Sequence, residues 1–314
     1  MEVSSPFDLS ASDAYARWRS TKLASEPRTV GDLMVAVRNP LELTHSERAE
    51  LLERLSQANM VLYRSKMLHE NKAVVSRLGT QLGLVRLDAN WLADEDGVSS
   101  IQLADRGQTA QDGDAAASAR QDYIPYTDLA LGWHTDGYYH PANRRIQGMI
   151  LHCVRPALQG GVNSLVDHER IYIALRDTNP AWVKALMAPD AMTIPQRQDE
   201  SGVARAAQSG PVFSVRDDGL GLHMRYTSRT RSIQWKPDAT TLEAVAFIRA
   251  CLDGNPSWRF QVRLDPGMGI VANNVLHARS GFSDDPRQPR LIYRARYLDH
   301  AHTHSAGPAQ ELAA

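Results

Sequence analysis

The chain of 314 residues is nearly devoid of cysteine. Its two, Cys153 and Cys251, fall in runs that read as an apolar strand and an amphipathic helix, where a thiol acts as a small hydrophobe. A disulfide framework or a thiolate zinc site is therefore not expected. An excess of either charge is also missing: 35 basic against 36 acidic side chains leave a formal charge of −1, which gives no electrostatic reason to expect nucleic acid. No stretch approaches the roughly 18 uninterrupted apolar residues of a membrane-spanning helix. The opening Met-Glu-Val-Ser-Ser-Pro lacks the basic and then apolar order of a secretory signal, so a cytoplasmic location is expected. Lysine is scarce beside arginine, a bias of composition more than of function. No repeat of fixed period is present.

What is there is an ordinary globular composition, 43% hydrophobic and 23% charged. It is long enough for one large domain. Residues 1–104 alternate helix and strand signals. Ser46 to Asn59 has helical apolar spacing behind the capping candidate Thr44, Met60 to Tyr63 reads as a strand, and Glu70 to Leu82 reads as a helix stopped by Gly83. Asp105 to Gln121 is almost wholly small or polar and reads as a mobile loop, either a lid or a plain surface insertion. Residues 122–298 carry strand-like runs at Ile146 to Val154, Gly221 to Tyr226, Trp258 to Leu264, Ile270 to Leu276 and Arg290 to Leu298. Helical insertions are expected at Asp167 to Arg176, with Asp167 as its cap, at Ala181 to Met187 and at Thr240 to Leu252. Residues 299–314, with His300, His302 and His304, read as a frayed tail. The pattern predicts an α+β chain with a mainly antiparallel β core.

Chemistry concentrates at Gly132-Trp-His-Thr-Asp136. Positions two apart in an extended strand share a face, so His134 and Asp136 can aim at one point. An imidazole and a carboxylate suit Fe(II), and a second histidine would complete a facial triad with three open metal positions. His277 is the strongest candidate, expected at the end of the Ile270 to Leu276 strand. In the return segment, period-2 parity puts Arg290, Ile292, Arg294 and Arg296 on one face. Arginines turned toward a β interior are costly to bury unpaired, and they imply an anion.

These segments resemble the taurine dioxygenase-like (TauD/TfdA) branch of the Fe(II)/2-oxoglutarate-dependent oxygenases, with γ-butyrobetaine hydroxylase relatives close by. The resemblance rests on Trp133-His-Thr-Asp136, Gly160-Gly-Val-Asn-Ser-Leu-Val-Asp167, Asn273-Asn-Val-Leu-His-Ala-Arg279 and Gln288-Pro-Arg-Leu-Ile-Tyr-Arg294, and it spans roughly residues 55 to 298. It implies a double-stranded β-helix, or jelly roll, with helices packed outside. It implies His134, Asp136 and His277 as iron ligands and Arg290 as the grip on the distal carboxylate of 2-oxoglutarate, a task suited to a planar guanidinium fork. Where relatives usually carry a threonine that also binds this cosubstrate, the chain has Asn163 followed by Ser164. Arg294 is similar to an arginine that in some relatives holds an acidic group of the substrate, and it can equally brace the cosubstrate.

The implied reaction takes O2 and 2-oxoglutarate to succinate and CO2 and oxidises a positioned C–H bond of a small molecule. The carboxylate of Asp136 favours hydroxylation over halogenation, because halogenating relatives replace it with a small residue; desaturation and ring closure stay open. Tyr138, Tyr139, Arg225, Tyr226 and Arg229 are candidates for the substrate pocket, and Asp88, Asn90 and Trp91 for its mouth. His140, His152, His168 and His223 read as structural or surface histidines. Two other classes use the same residues: a zinc hydrolase, which leaves Arg290 unexplained, and a non-catalytic binding module, which leaves a complete ligand set unexplained.

Overall fold

A computed structural model describes residues 5–88, 96–103, 124–199, 202–231 and 233–301. The expected loop at Asp105 to Gln121, Asn90, Trp91, His302 and His304 lie outside these residues. Two sheets form the centre. The larger runs Met34–Ala36, Met60–Arg64, Met268–Ala272, Gly148–Arg155, Leu291–Tyr297, Ser99–Ile101. The smaller runs Arg259–Val262, Asn163–Val166, Leu276–Arg279, Leu131–His134. Within these two sheets every pairing is antiparallel except that of Met34–Ala36 with Met60–Arg64. This is the expected jelly roll.

Side-chain alternation sorts the apolar residues into layers. Met149, Cys153, Ile270 and Ile292 of the larger sheet meet Leu165, Phe260 and Val262 of the smaller one, filling the space between them. The opposite parity of the larger sheet, including Ile150, Tyr293, Ala295 and Tyr297, packs against helices His45–Ala58 and Ala73–Gln81. Outside the smaller sheet, Val166 and Leu276 pack against helices His168–Thr178, Pro180–Leu186 and Ala239–Asp253. Among the described residues, no helix is long and apolar enough to cross a membrane.

Local signals explain most element ends. Thr44 caps the His45–Ala58 helix through a reciprocal pair with Glu47, and such a cap stabilises by about 1 kcal/mol. Asp167 caps the His168–Thr178 helix by accepting from the Glu169 amide at 2.9 Å. The second helix begins at Ala73 rather than Glu70, because Glu70 turns to an ion pair with Arg155 and Asn71 accepts from the Ala73 amide. The expected strand from Ile270 to Leu276 is in fact two. Asn273, Asn274 and Val275 interrupt it, Asn274 has φ of +50°, and the chain crosses there from the larger sheet to the smaller. Nor does the chain fray from residue 299: Asp299 accepts from the Arg86 guanidinium at 2.6 Å, and the Ala301 amide donates to Asn273 Oδ1 at 3.0 Å.

Candidate metal centre

The two candidate histidines lie on adjacent antiparallel strands, where His277 is the direct partner of His134. His277 sits inside its strand, one residue after the start, and Leu276 on the opposite parity faces the outer helices. The two imidazole centroids are 4.2 Å apart. Asp136 follows just past the end of the His134 strand, and its Oδ1 lies 3.8 Å from His134 Nε2. One potential ligand atom from each of the three residues falls within 4.8 Å of the others, all three buried.

Hydrogen bonds fix how these rings present themselves. His134 Nδ1 lies 2.9 Å from the Gly132 carbonyl, and His277 Nδ1 lies 2.9 Å from the Val275 carbonyl. A carbonyl only accepts, so each Nδ1 is the donor, and Nε2 is the ring nitrogen left to serve as a ligand. Burial, and then the neighbouring His277, push His134 down to about 3, which keeps its imidazole neutral near pH 7. For Asp136 burial acts upward, but Arg294, then His277 and Arg296, outweigh it and hold the carboxyl well below the usual carboxylate range.

A cavity of about 650 Å³ opens beside His134 and Asp136, walled by Ile124, Tyr138, Tyr139, Thr227, Arg229, Arg294 and Arg296 among others. Arg294 Nη1 stands 3.9 Å from Asp136 Oδ1, while its buried Nε has no hydrogen-bond partner among the described residues. Arg296 is held differently: its Nη2 meets Asp88 Oδ2 at 2.6 Å, and its Nη1 donates to the Tyr139 hydroxyl at 3.2 Å. The anion implied for these arginines is thus supplied to Arg296 by the protein itself. Arg279, on the same face as His277, donates to the carbonyls of Pro125, Thr127 and Leu129 and so braces the segment that forms one rim.

Arg290 lies elsewhere. It lines a separate cavity of about 200 Å³ with Gly160, Gly161, Asn163 and Ile292. Its Nη1 is buried without a hydrogen-bond partner among the described residues, and the Phe282 ring lies 5.1 Å beneath the guanidinium. Burial lowers its pKa to about 10, so it keeps its charge near neutrality. Gly160 permits this corner: a Cβ there would collide with the Gly281 carbonyl oxygen.

The comparisons with known proteins follow this geometry. Residues 24–296 match the family model described as "Taurine catabolism dioxygenase TauD, TfdA family". The chain belongs to the TauD/TfdA family. Two relatives of this TauD/TfdA chain are named uridine-5'-phosphate dioxygenase. One, from an Amycolatopsis species, is 34% identical over 173 residues, covering 53% of this chain and 60% of the relative. The other, from a Streptomyces species, is 33% identical over 184 residues, covering 55% and 64%. The chain therefore spans less than two thirds of the length of these relatives. The fold is shared with an asparagine oxygenase bound to Fe(II), hydroxyasparagine and succinate (TM-score 0.52, 15% identity, 82% of this chain and 80% of that one). It is also shared with AAD-2 bound to Mn(II) and N-oxalylglycine (TM-score 0.58, 12% identity, 89% and 98%).

The residues of this TauD/TfdA chain fit such a metal. Two imidazoles and one carboxylate are a donor set for Fe(II), their geometry converges, and Asp136 Oδ2 is buried with no hydrogen-bond partner among the described residues. The partnerless nitrogens of Arg290 and Arg294, one in each cavity, each suit a carboxylate or other anion, because a buried guanidinium N–H left unbonded is costly.

Other candidates are not brought to the metal cavity. Asn163 faces inward beside Arg290, but Ser164 points to the other side of its strand and accepts from Gln261 Nε2 at 3.3 Å. Arg225 spends its donors on the carbonyls of Tyr138, Met192 and Gln208, and Tyr226 is fully buried in the apolar layer under the outer helices. Both buttress the cavity wall from behind. His140, His152, His168 and His223 each bond a carbonyl or, for His152, the Tyr63 hydroxyl. Asp88 belongs to the cavity's support through Arg296. Asn274, part of the Asn273 to Arg279 motif but given no role in the sequence analysis, touches Asp136 directly; two asparagines interrupting an apolar run were its signal in the sequence.

Proposed function

We propose that this protein is a single-domain Fe(II)- and 2-oxoglutarate-dependent dioxygenase that hydroxylates a small organic molecule. The observation that carries the proposal is the buried His134, Asp136 and His277 cluster, its ligand atoms within 4.8 Å of one another at the wall of a cavity large enough for a metabolite. Iron with 2-oxoglutarate and O2 would supply the oxidising chemistry, with succinate and CO2 as coproducts. The chain's own residues bind and orient. The Nδ1 bonds of both histidines keep Nε2 available, and Arg290 grips the distal carboxylate with Asn163 beside it.

The substrate we propose carries an acidic group, met by Arg294 with Arg229 and the Tyr138 and Tyr139 rings nearby. The relatives named for uridine 5'-phosphate make a nucleoside monophosphate the first compound to test. A cytosolic setting agrees with two unpaired cysteines, one of them buried.

The test is succinate formation by anaerobically iron-loaded protein given O2, 2-oxoglutarate and a panel of metabolites beginning with uridine 5'-phosphate. Succinate that requires both Fe(II) and 2-oxoglutarate, and rises with one compound, is the expected result. Hydrolysis supported by zinc without succinate would reassign the same triad to a hydrolase, and ligand binding without turnover would leave a binding module.

A further inference from the structure

Asn274 sits in the short crossing between the two sheets, at a backbone φ of +50° and almost wholly buried. Its side chain makes three hydrogen bonds, all to main chain. Oδ1 accepts from the Asp136 amide at 2.7 Å, and Nδ2 donates to the Asp136 carbonyl at 3.0 Å and to the Ile146 carbonyl at 2.7 Å. The amide thus pairs with Asp136 on both sides, as a neighbouring strand would, at the point where the strand ending at His134 has run out. It also ties Asp136 to Ile146, the two feet of loop 137–145, which carries Tyr138 and Tyr139 into the cavity wall. His223 Nε2 adds a second bond to the Ile146 carbonyl at 3.2 Å.

Resting on the iron-oxygenase reading above, we propose that Asn274 is a positioning residue that sets the metal ligand Asp136 and the substrate loop 137–145 in one fixed relation through a single side-chain amide. Asp136 lies beyond the regular pairing of its strand, so its carboxylate is aimed by whatever holds its peptide. Asn274 does this from the crossing that also delivers His277, three residues later, to the same centre. The left-handed backbone is part of the device: asparagine tolerates this conformation better than most residues and brings a donor and an acceptor with it.

The variant Asn274→Gly keeps the left-handed backbone conformation accessible and removes the side chain with its amide. Its matched control is Asn59→Gly, at the other left-handed asparagine of the described residues, whose amide holds the same crossing by accepting from Asn273 and donates to Asp167 rather than to Asp136. Each protein is titrated with Fe(II) alone under anaerobic conditions, and amide exchange is followed across residues 136–146. Loss of an outer-shell partner typically weakens metal affinity about 10- to 100-fold. We expect a loss of that order, with faster exchange of the loop, in Asn274→Gly, and an unchanged Fe(II) affinity with a lower melting temperature in Asn59→Gly. A folded Asn274→Gly that binds Fe(II) like the wild type overturns the inference alone. A wild type that binds no Fe(II) overturns both the inference and the oxygenase reading. If Asn274→Gly does not fold, the wild-type Asp136 amide decides: exchange as slow as in the paired strands supports the clamp, and exchange at the rate of exposed loops overturns it.

Discussion

Arg294 holds its guanidinium 3.9 Å from Asp136 Oδ1, inside a cavity where both side chains are nearly shut off from solvent. The carboxylate therefore serves two cations, the metal its geometry suits and a guanidinium on the facing strand. Replacing Asp136 with Ala is expected to abolish substrate-coupled hydroxylation and to leave Arg294 with no anion nearby. Product formation assayed against the wild type checks this, and wild-type-like turnover would remove Asp136 from the ligand set.

Arg290 is expected to set the 2-oxoglutarate requirement. Truncating one partner of a buried charge-assisted pair costs about 2 to 5 kcal/mol, so Arg290→Ala should raise the 2-oxoglutarate KM by roughly 30-fold or more. An unchanged KM would transfer the anchor to Arg294, which lines the cavity of the metal ligands themselves.

The carboxylate of Asp88 is fully buried and bridges Arg296 and Arg144 at 2.6 and 2.7 Å. Asp88→Asn keeps the shape and strands the buried Arg296 charge, which should cost about 3 to 5 kcal/mol of stability. Denaturant unfolding measures that directly. The substrate KM should rise as well, because Arg296 would no longer hold the Tyr139 hydroxyl in place.

Acid should weaken the fold before any carboxylate titrates in bulk. Burial pushes His152 to about 4 and His223 and His300 to about 3, whereas in the unfolded chain they take up protons near pH 6.5. Stability from these neutral imidazoles is fully present above about pH 6.5 and is lost as pH falls toward their folded values, by roughly 1.4 kcal/mol per pH unit for each. Melting temperature should be level above about pH 7 and decline below about 6.5; a level curve down to about pH 4.5 would contradict it.

Much of the centre was legible because its geometry is local. His134 and Asp136 are two apart, and the parity of the last long strand correctly separates Ile292, in the intersheet layer, from Leu291, Tyr293 and Ala295 outside. The same parity would have excluded Ser164, whose neighbours Asn163 and Leu165 face inward. Long-range pairing was not legible: Asp88 and Arg296 are far apart in the chain, and only the finished fold makes one the counterion of the other. The break at Asn273 to Val275 was hidden for a related reason. Its flanks are apolar enough to read as one strand, and the two halves differ only in which sheet they join.

The direct pairing of His277 with His134 makes chain length in that crossing a functional quantity. Adding or deleting one residue between Ala272 and Leu276 would exchange the faces of everything after it, sending the imidazole out among the helices and turning Leu276 or Ala278 inward. The number of residues in that short crossing thus fixes which side chains reach the centre.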